Sequence, residues 1–258
     1  ILVTRAAGFI GFHRVQRLLR AGYPVVGIDN LNAYYDPKLK HARLAILKRD
    51  ENFTFIKIDL ADRAATKAAF STDHFPIVIH LAAQAGIRDS IKNASNYIDA
   101  NLCGFANVLE GCRQNECTHL LYASSSSVYG ANTKLPFSTR DNADHPINIY
   151  AATKKINELM AHSYSHLHGL PTTGLRFFTV YGPWYRPDMA MFLFAKAIVE
   201  HRSIMMFNSG DMLRDFIYID DVVDVVLRLM TCIPTGNKNW SGNRPDPATS
   251  AAPWRVFN

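Results

Sequence analysis

Tyr150 and Lys154 are the most informative pair of side chains in the sequence, because their spacing lets them work together. The stretch YAATK (150–154) places them four residues apart, so in a helix they lie on the same face. An unperturbed tyrosine hydroxyl titrates near ~10, and a neighbouring ammonium group stabilises the phenolate and lowers that pKa. A tyrosine with this help acts as a general base at neutral pH. Alone, the pair is also typical of an interfacial aromatic residue beside a solvated amine.

Four consecutive serines end an apolar stretch before this pair, in YASSSSVYG at 122–130. The apolar residues predict a buried strand, and parallel sheets bind their ligands at the carboxyl ends of the strands. A serine hydroxyl there could hydrogen-bond a substrate oxygen beside Tyr150. A polar turn without a chemical role is the alternative, so the assignment depends on the other motifs.

The first twelve residues, ILVTRAAGFIGF, have the pattern of a dinucleotide-binding turn. Residues 1–3 predict a buried strand, and Gly8 and Gly11 fall where a phosphate-binding turn enters a helix. Asp29 ends the next predicted strand, where a ribose-binding acid belongs, and no basic residue directly follows it. The combination favours NAD over NADP, although a simple tight turn between strand and helix has the same glycines.

Arg5 departs from this pattern, which has a glycine at that place. If the turn requires a positive φ, any other residue costs ~1 kcal/mol or more there. A long side chain is also expected to clash with the cofactor, while a contact between its charge and the phosphates is the alternative. Our hypothesis is that Arg5 weakens NAD binding without unfolding the sheet.

Short apolar strands alternate with helices through the first 180 residues. Strands are predicted at 1–4, 24–29, 53–59, 76–83, 119–125 and 172–178, and helices at 9–21, 37–48, 62–71, 95–114 and 149–168. Such alternation predicts a doubly wound α/β domain with a parallel sheet, here an NAD-binding Rossmann domain at 1–180. Prolines and sparse strands then predict a smaller substrate lobe at 181–258, which shares some segments with the first domain and ends in a new strand, WRVF.

Composition narrows the class of protein. The 258 residues are 48% hydrophobic, enough for a globular core, and carry 28 Lys and Arg against 22 Asp and Glu. No basic run with interleaved aromatic residues occurs, so we expect no nucleic-acid partner. No segment reaches the ~20 apolar residues of a membrane span, and no signal peptide is present, which predicts a cytoplasmic protein without a membrane partner. The chain starts within a strand and without Met, so we expect a trimmed N-terminus.

Metal binding is not expected. His162 and His166 stand four apart on a predicted helix, but no glutamate follows His162 as a zinc-protease helix requires. The four cysteines show no spacing typical of metal ligands and are expected to be free thiols.

The motifs together resemble the extended short-chain dehydrogenase/reductases that act on nucleotide sugars. The resemblance rests on TRAAGFIG, Asp29, HLAAQAG (80–86), ASSSSVYG, YAATK and LRFFTVYGPW (175–184), in this order. IDNLNAYYDPKLK, LEGCRQN, GPWYRPDMAMFLF and RDFIYIDD are most similar to the UDP-glucuronate 4-epimerases. The resemblance implies an isomerase of surface-polysaccharide synthesis that converts UDP-glucuronate to UDP-galacturonate through a 4-keto intermediate, with NAD as a bound cofactor.

The resemblance also implies roles for individual residues and a homodimer built on the helices near 95–114 and 149–168. The implied catalytic residues are Tyr150, Lys154 and Ser125. The implied cofactor-binding residues are Gly8, Phe9, Ile10, Gly11, Asp29, Asn30, Asp59, Leu60, Leu81, Ala82, Ala83, Asn101, Tyr150 and Lys154. The implied substrate-binding residues are Arg88, Ser126, Ser127, Thr179, Arg186, Phe207 and Arg214. Among these, Arg186, Thr179 and Ser127 are expected to hold the sugar carboxylate, for which an arginine fork is suited; a solvated loop arginine is the alternative for Arg186.

Ser126 and Ser127 separate this chain from relatives with other chemistry. The 4,6-dehydratases carry an Asp-Glu pair at these places, and the UDP-glucuronate decarboxylases carry Glu at the second. Tyr185 replaces a further family glycine and is expected to crowd the sugar pocket. Family members continue beyond Asn258, so we expect a C-terminally truncated lobe. The alternatives are a non-catalytic or impaired nucleotide-binding relative and another UDP-sugar 4-epimerase.

Overall fold

The main sheet is parallel and has the strand order of a Rossmann fold. The structure is a computed structural model that describes residues 1–86 and 89–258. In this part of the chain, seven parallel strands form one sheet in the order β3-β2-β1-β4-β5-β6-β9. The strands are β1 (Leu2–Thr4), β2 (Val25–Asp29), β3 (Phe53–Lys57), β4 (Ile77–His80), β5 (His119–Ser125), β6 (Thr172–Phe177) and β9 (Trp254–Phe257).

Helices cover both faces of this sheet. They are α1 (Phe9–Arg20), α2 (Pro37–Leu47), α3 (Arg63–Phe70), α4 (Ile87–Lys92), α5 (Ala94–Ile98), α6 (Gly104–Gln114), α7 (Ile149–His168), α8 (Ala190–Val199) and α9 (Ile219–Met230). Among the described residues, no helix has both the length and the apolar content needed to span a bilayer.

Alternate strand residues point into two separate cores. Leu2 and Leu120 pack with α3 and α6 on one face, while Val3 and Leu121 pack with α1, α2 and α9 on the other. This alternation follows from the two-residue period of a strand. Because both faces are covered, the strands read as continuous apolar runs, and the predicted doubly wound α/β fold is confirmed.

Helix α7 begins and ends where the sequence predicts. The Asn148 side chain accepts a hydrogen bond from the Ala151 amide at 2.8 Å and caps the first turn. Gly169 ends the helix in the left-handed conformation, at φ 68°. This helix carries Tyr150 in its first turn and Lys154 one turn further on, so its start fixes the position of both.

The region predicted as one helix at 95–114 is more broken than expected. It consists of α5, a π-helical turn at Asp99–Cys103, and α6, with α4 before them. A π turn inserts an extra residue into the helical repeat and is found frequently at functional sites. Here it contains Asn101, which is buried and points toward the loop after β4.

Elements after residue 180 divide between a small sheet and the main fold. Strands β7 (Thr179–Tyr181) and β8 (Phe216–Tyr218) pair with each other, apart from the main sheet. Helix α9 returns to pack in the core beside α1, and the predicted strand WRVF is β9, which pairs with β6. The stretch 181–258 therefore shares segments with the first domain, and its assignment as a substrate lobe remains a prediction.

Candidate active site

Ser125 lies at the carboxyl end of β5, where the strand passes into a 3-10 turn, Ser126–Tyr129. Its Oγ accepts hydrogen bonds from the Ser127 amide at 3.2 Å and from the Ser127 hydroxyl at 2.9 Å. Ser125 is therefore held by the turn that follows it. Ser126 and Ser127 are half-buried beside it, at the edge of the sheet predicted to bind ligand.

Tyr150 stands in the first turn of α7 and interacts with Ser125. Burial raises the pKa of the Tyr150 hydroxyl, while a hydrogen bond with Ser125 and the charges of Arg186 and Arg5 act to lower it. The sequence argument assigned this lowering to Lys154. In the structure, the positive charges that act on Tyr150 belong to the two arginines.

Lys154 lies one turn after Tyr150 on α7 and is buried, with only 2% of its surface exposed. Its Nζ donates a hydrogen bond to the Ala123 carbonyl at 2.8 Å. Burial, together with the nearby positive charge of Arg5, lowers the pKa of its ammonium group to about 7, while Glu158 acts to raise it. At neutral pH the charged and the neutral form of this amine are therefore both populated.

A buried ion pair lies next to the serine turn. Arg176 forms a bidentate ion pair with Glu158: its Nε lies 2.8 Å from Oε1 and its Nη2 lies 2.9 Å from Oε2. The Ser124 hydroxyl donates to the same carboxylate at 2.6 Å, and the Arg176 guanidinium lies over the Tyr129 ring. These contacts tie α7, β5, β6 and the serine turn together.

A cleft between β1, β2 and β4 forms the candidate cofactor site. It lies at the point where the strand order reverses. The predicted cofactor-binding residues that line it are Asp29, Asn30, Asp59, Leu60, Ala82 and Ala83. Arg5, Asn32, Lys40 and Gln84 line the same cleft.

Asp29 is the predicted ribose-binding acid and lies at the end of β2, buried. Its Oδ1 accepts a hydrogen bond from the Leu31 amide at 2.8 Å, and its Oδ2 accepts one from the Ala7 amide at 3.2 Å. Lys40 Nζ lies 3.7 Å from Oδ1. A carboxylate oxygen has two acceptor positions, so Oδ2 can still accept from a ligand hydroxyl.

Two buried polar side chains fix the loop that forms the far wall of the cleft. Thr4 Oγ1 accepts hydrogen bonds from the Leu81 amide at 3.0 Å and from the Ala82 amide at 2.9 Å. Asn101 Oδ1 accepts from the Gln84 amide at 2.7 Å, and its Nδ2 donates to the Gln84 carbonyl and to Thr153 Oγ1. In this structure, Asn101 and Leu81 therefore shape the wall rather than line the open space.

The first turn of α1 supplies the predicted phosphate-binding residues. A Cβ added to Gly11 would lie 2.0 Å from the Arg5 carbonyl oxygen, so only glycine permits this packing of helix on turn. Phe9 packs in a third apolar cluster with Val180, and Ile10 lies partly buried against it. Over Gly8 lies the side chain of Arg5, since a Cβ added there would meet Arg5 Cγ at 2.7 Å.

Arg186 lies near Tyr150 and is largely buried, so the interpretation as a solvated loop arginine is wrong. Its Nε donates to Asp188 Oδ1 at 3.0 Å and its Nη2 to Asp188 Oδ2 at 2.5 Å, while its guanidinium lies over the Tyr34 ring. Arg43 holds the loop that carries Arg186, because it donates to the Trp184 carbonyl and, at 3.0 Å, to the Ala7 carbonyl.

The remaining predicted substrate residues occupy less enclosed positions. Thr179 is half-buried in β7, while Phe207 and Arg214 are exposed. Arg88 lies outside the described residues. Tyr185 packs edge-on against Phe9, with 5.3 Å between ring centroids.

The local sequence did not mark the polar and charged side chains, most of them buried, that hold the site: Lys40, Arg43, Gln84, Thr153, Glu158, Arg176 and Asp188. Charged side chains are mostly exposed in proteins, so nothing local marks these as buried. A weak signal exists for Glu158, which follows Lys154 by four residues and thus shares its helix face. In the described part of the chain, no three His, Cys, Asp or Glu side chains cluster as metal ligands would.

The parallel sheet, the glycine turn and the Ser125, Tyr150 and Lys154 group define an extended short-chain dehydrogenase/reductase. The chain belongs to the NAD dependent epimerase/dehydratase family, whose model matches residues 1–240. This confirms the membership predicted from the sequence motifs.

Individual relatives are similar over the whole chain. Protein CapI of Staphylococcus aureus is 54% identical over 258 residues, which cover 100% of this chain and 77% of that protein. A probable UDP-glucuronate 4-epimerase of Rhizobium meliloti is 50% identical over 261 residues, covering 100% of this chain and 76% of its own length. The crystal structure of UDP-glucuronic acid 4-epimerase from Bacillus cereus, in complex with UDP-glucuronic acid and NAD, matches with a TM-score of 0.81 at 34% identity and covers 89% of this chain and 72% of that chain.

Proposed function

We propose that this protein is an isomerase that inverts C4 of UDP-glucuronate to give UDP-galacturonate, with NAD as its cofactor. The observation that carries the proposal is the hydrogen bond between Ser125 and Tyr150, with Lys154 buried one turn further along α7. A protein that only binds nucleotides has no use for this group of side chains. The relatives named above support the choice of substrate.

Tyr150 acts as the base that takes the proton from the 4-hydroxyl group of the sugar. Tyr150 is half-buried at the start of α7, so its side chain is partly withdrawn from bulk solvent. Because burial raises its pKa, the base form depends on Ser125, Arg186 and Arg5, which all act in the opposite direction. Ser125 can also donate a hydrogen bond to the 4-oxygen, since it is held at the same edge.

Lys154 is the proposed partner of the nicotinamide ribose at the reacting end of the site. Its anchoring to the Ala123 carbonyl fixes the amine between β5 and α7. With a pKa of about 7, it gains or loses its proton near neutral pH. We therefore expect activity to depend on the protonation of this amine as well as on Tyr150.

The residues present fit the adenosine end of NAD, where Asp29, Asn30, Asp59 and Leu60 line the cleft. Bound NAD⁺ supplies the hydride acceptor, which takes hydrogen from C4 and returns it to the other face. Gly8, Phe9, Ile10 and Gly11 would face the diphosphate, while Ala82, Ala83, Tyr150 and Lys154 would lie toward the reacting end. Asn101 and Leu81 act by shaping the wall.

Arg186 is the proposed partner of the sugar carboxylate. A 4-keto uronate is a β-keto acid that loses carbon dioxide readily, so the enzyme must hold the carboxylate in a geometry that opposes this loss. Asp188 uses two of the five guanidinium hydrogens of Arg186, which leaves others for a second anion. Ser127 and Thr179 are proposed to help, and Ser126 to line the sugar pocket, while Phe207, Arg214 and Arg88 are proposed for UDP.

We also propose a cytoplasmic homodimer. Free cysteines suit a reducing compartment. The predicted dimer helices carry apolar side chains that lie exposed in the single chain, among them Ile98, Ile156 and Leu159. A second copy would cover them.

The test is an NMR assay of UDP-glucuronate with the protein and excess NAD⁺. We expect UDP-galacturonate to accumulate to an equilibrium that is also reached from UDP-galacturonate. The Tyr150→Phe variant, which keeps the ring and loses the hydroxyl, should give no product. Release of carbon dioxide with a UDP-pentose, or no turnover at saturating NAD⁺, would contradict the proposal.

Two substrates distinguish the alternatives. If UDP-glucose is converted faster than UDP-glucuronate, the protein is another UDP-sugar 4-epimerase and Arg186 has no carboxylate to bind. The other alternative is an impaired nucleotide-binding relative, and the position of the Arg5 side chain over Gly8 is the observation that favours it. That alternative predicts that no UDP-sugar is converted even when NAD⁺ is in large excess.

A further inference from the structure

Arg5 adopts a backbone conformation that the turn needs and that a non-glycine residue disfavours. Its φ is 55°, in the left-handed region. The turn is nevertheless closed, because the Gly8 amide donates to the Arg5 carbonyl at 2.9 Å and the Ala6 amide donates to the Ile28 carbonyl at 3.1 Å. The backbone therefore keeps the shape of a phosphate-binding turn in spite of the substitution.

The side chain of Arg5 crosses the opening of that turn. Its Cγ and Cδ would lie 2.7 and 3.1 Å from a Cβ placed on Gly8. Its guanidinium donates to the Ala83 carbonyl on the opposite wall of the cleft. The side chain thus runs from the start of α1 to the loop after β4.

This path passes through the place that a dinucleotide diphosphate takes in this fold. The second glycine of the motif, here Gly8, lets the diphosphate approach the backbone and the free amides of the helix start. In this chain the apolar stem of Arg5 lies over Gly8, and its guanidinium donates a hydrogen bond to the Ala83 carbonyl instead of facing the turn. The stem offers an anion no hydrogen bond.

We propose that the Arg5 side chain competes with the diphosphate of NAD for the space over Gly8. NAD binds only when Arg5 leaves this space and gives up its bond to Ala83, so the chain holds the cofactor weakly and exchanges it with solvent. The inference rests on the proposed function, since it takes NAD to be the cofactor. It concerns the diphosphate, because the residues proposed to hold the adenosine end, among them Asp29 and Asp59, line the cleft beside Arg5.

Calorimetric titration of NAD⁺, ADP and adenosine tests the competition. Arg5→Ala removes the stem and keeps the left-handed strain, and Arg5→Gly removes both. We expect Arg5→Ala to bind NAD⁺ and ADP about tenfold more tightly than the native chain, with Arg5→Gly at least as tight. Adenosine, which has no phosphate, should bind all variants alike.

Two controls separate the stem from the charge. Arg5→Met keeps a long apolar stem and loses the positive charge, so it should bind NAD⁺ about as weakly as the native chain does. Arg20→Ala removes one exposed positive charge from the end of α1, at the far end from the cleft, and should also change nothing. Thermal unfolding of each variant confirms that it is folded before titration.

Two results would overturn the inference. Equal NAD⁺ affinity in the native chain and Arg5→Ala would show that the stem does not compete. Weaker binding by Arg5→Ala would show that the guanidinium is a ligand of the diphosphate. If no variant binds NAD⁺, NAD is not the cofactor of this protein. The proposed function then fails at its cofactor, and the proposed competition fails with it.

Discussion

The two sides of the cleft are built in different ways. On the catalytic side, buried side chains fix one another: Ser124 and Arg176 share the Glu158 carboxylate, and Lys154 is anchored to the Ala123 carbonyl. On the cofactor side, the turn is shaped mainly by backbone hydrogen bonds and by two glycines, and one side chain, that of Arg5, crosses its opening. A turn can thus keep its backbone shape while the space that it encloses is lost to a side chain.

Removing the Tyr150 hydroxyl tests the catalytic side alone and should have the largest effect. General-base catalysis contributes ~10²–10⁴-fold, so Tyr150→Phe should lower kcat by at least that range. NAD⁺ affinity should fall far less than kcat, because Tyr150→Phe keeps the aromatic ring that is proposed to face the reacting end of the cofactor. Steady-state kinetics and calorimetry measure both; a variant that keeps a tenth of the native kcat would exclude Tyr150 as the base.

Breaking the Glu158–Arg176 pair tests whether the catalytic side is the more tightly held. Glu158→Ala leaves the Arg176 guanidinium buried and unpaired, so the free energy of unfolding should fall by about 3–5 kcal/mol. Glu110 also pairs with an arginine, Arg113, but at the surface, and Glu110→Ala should cost at most about 1 kcal/mol. Urea unfolding compares them. Similar losses would mean that the buried pair does not anchor the site.

The buried amine of Lys154 should make stability depend on pH. Its folded pKa of about 7 lies below its ordinary value of 10.5, so the unfolded chain binds more protons between these two values and stability rises with pH there. Lys154→Met should therefore stabilise the protein by on the order of 5 kcal/mol below pH 7. The gain should vanish as the pH approaches 10.5. Unfolding midpoints over this range test it, and a gain independent of pH would refute it.

His80, which lies on the cofactor side, should make the folded protein less stable in acid. Burial lowers its pKa from 6.5 to about 3, and its ring contacts Thr4, which holds the cleft wall. The folded state keeps this ring neutral while the unfolded chain protonates it, so stability falls as the pH drops below 6.5. From there to about pH 5 the loss should be roughly 1.5 kcal/mol, and His80→Gln should remove it. The exposed His41→Gln control should keep the native slope; if both variants keep it, His80 is not responsible.

Local patterns predicted the elements that carry the catalytic residues. Helix α7 and strand β5 have the bounds expected from their apolar runs, and Asn148 and Gly169 cap the helix as their types suggest. The π turn around Asn101 was not predicted, because nothing in the local sequence distinguishes it from a continuous helix.

Long-range features could not be predicted from local patterns. The pairing of β9 with β6 joins segments about eighty residues apart, and the Glu158–Arg176 pair forms only once α7 lies on the sheet. The sequence does show that Arg5 replaces a glycine. It cannot show that the stem lies over Gly8 and the guanidinium on the Ala83 carbonyl, since that depends on how two loops meet.

The most direct test of the account is the fate of the hydrogen at C4. UDP-glucuronate carrying deuterium at C4 would be incubated with the protein and excess NAD⁺ in ordinary water, and the product examined by NMR. If hydrogen leaves C4 and returns to it within one closed site, UDP-galacturonate retains the deuterium at C4. Product in which this deuterium has been replaced by solvent hydrogen, or a substrate that remains unchanged, would contradict it.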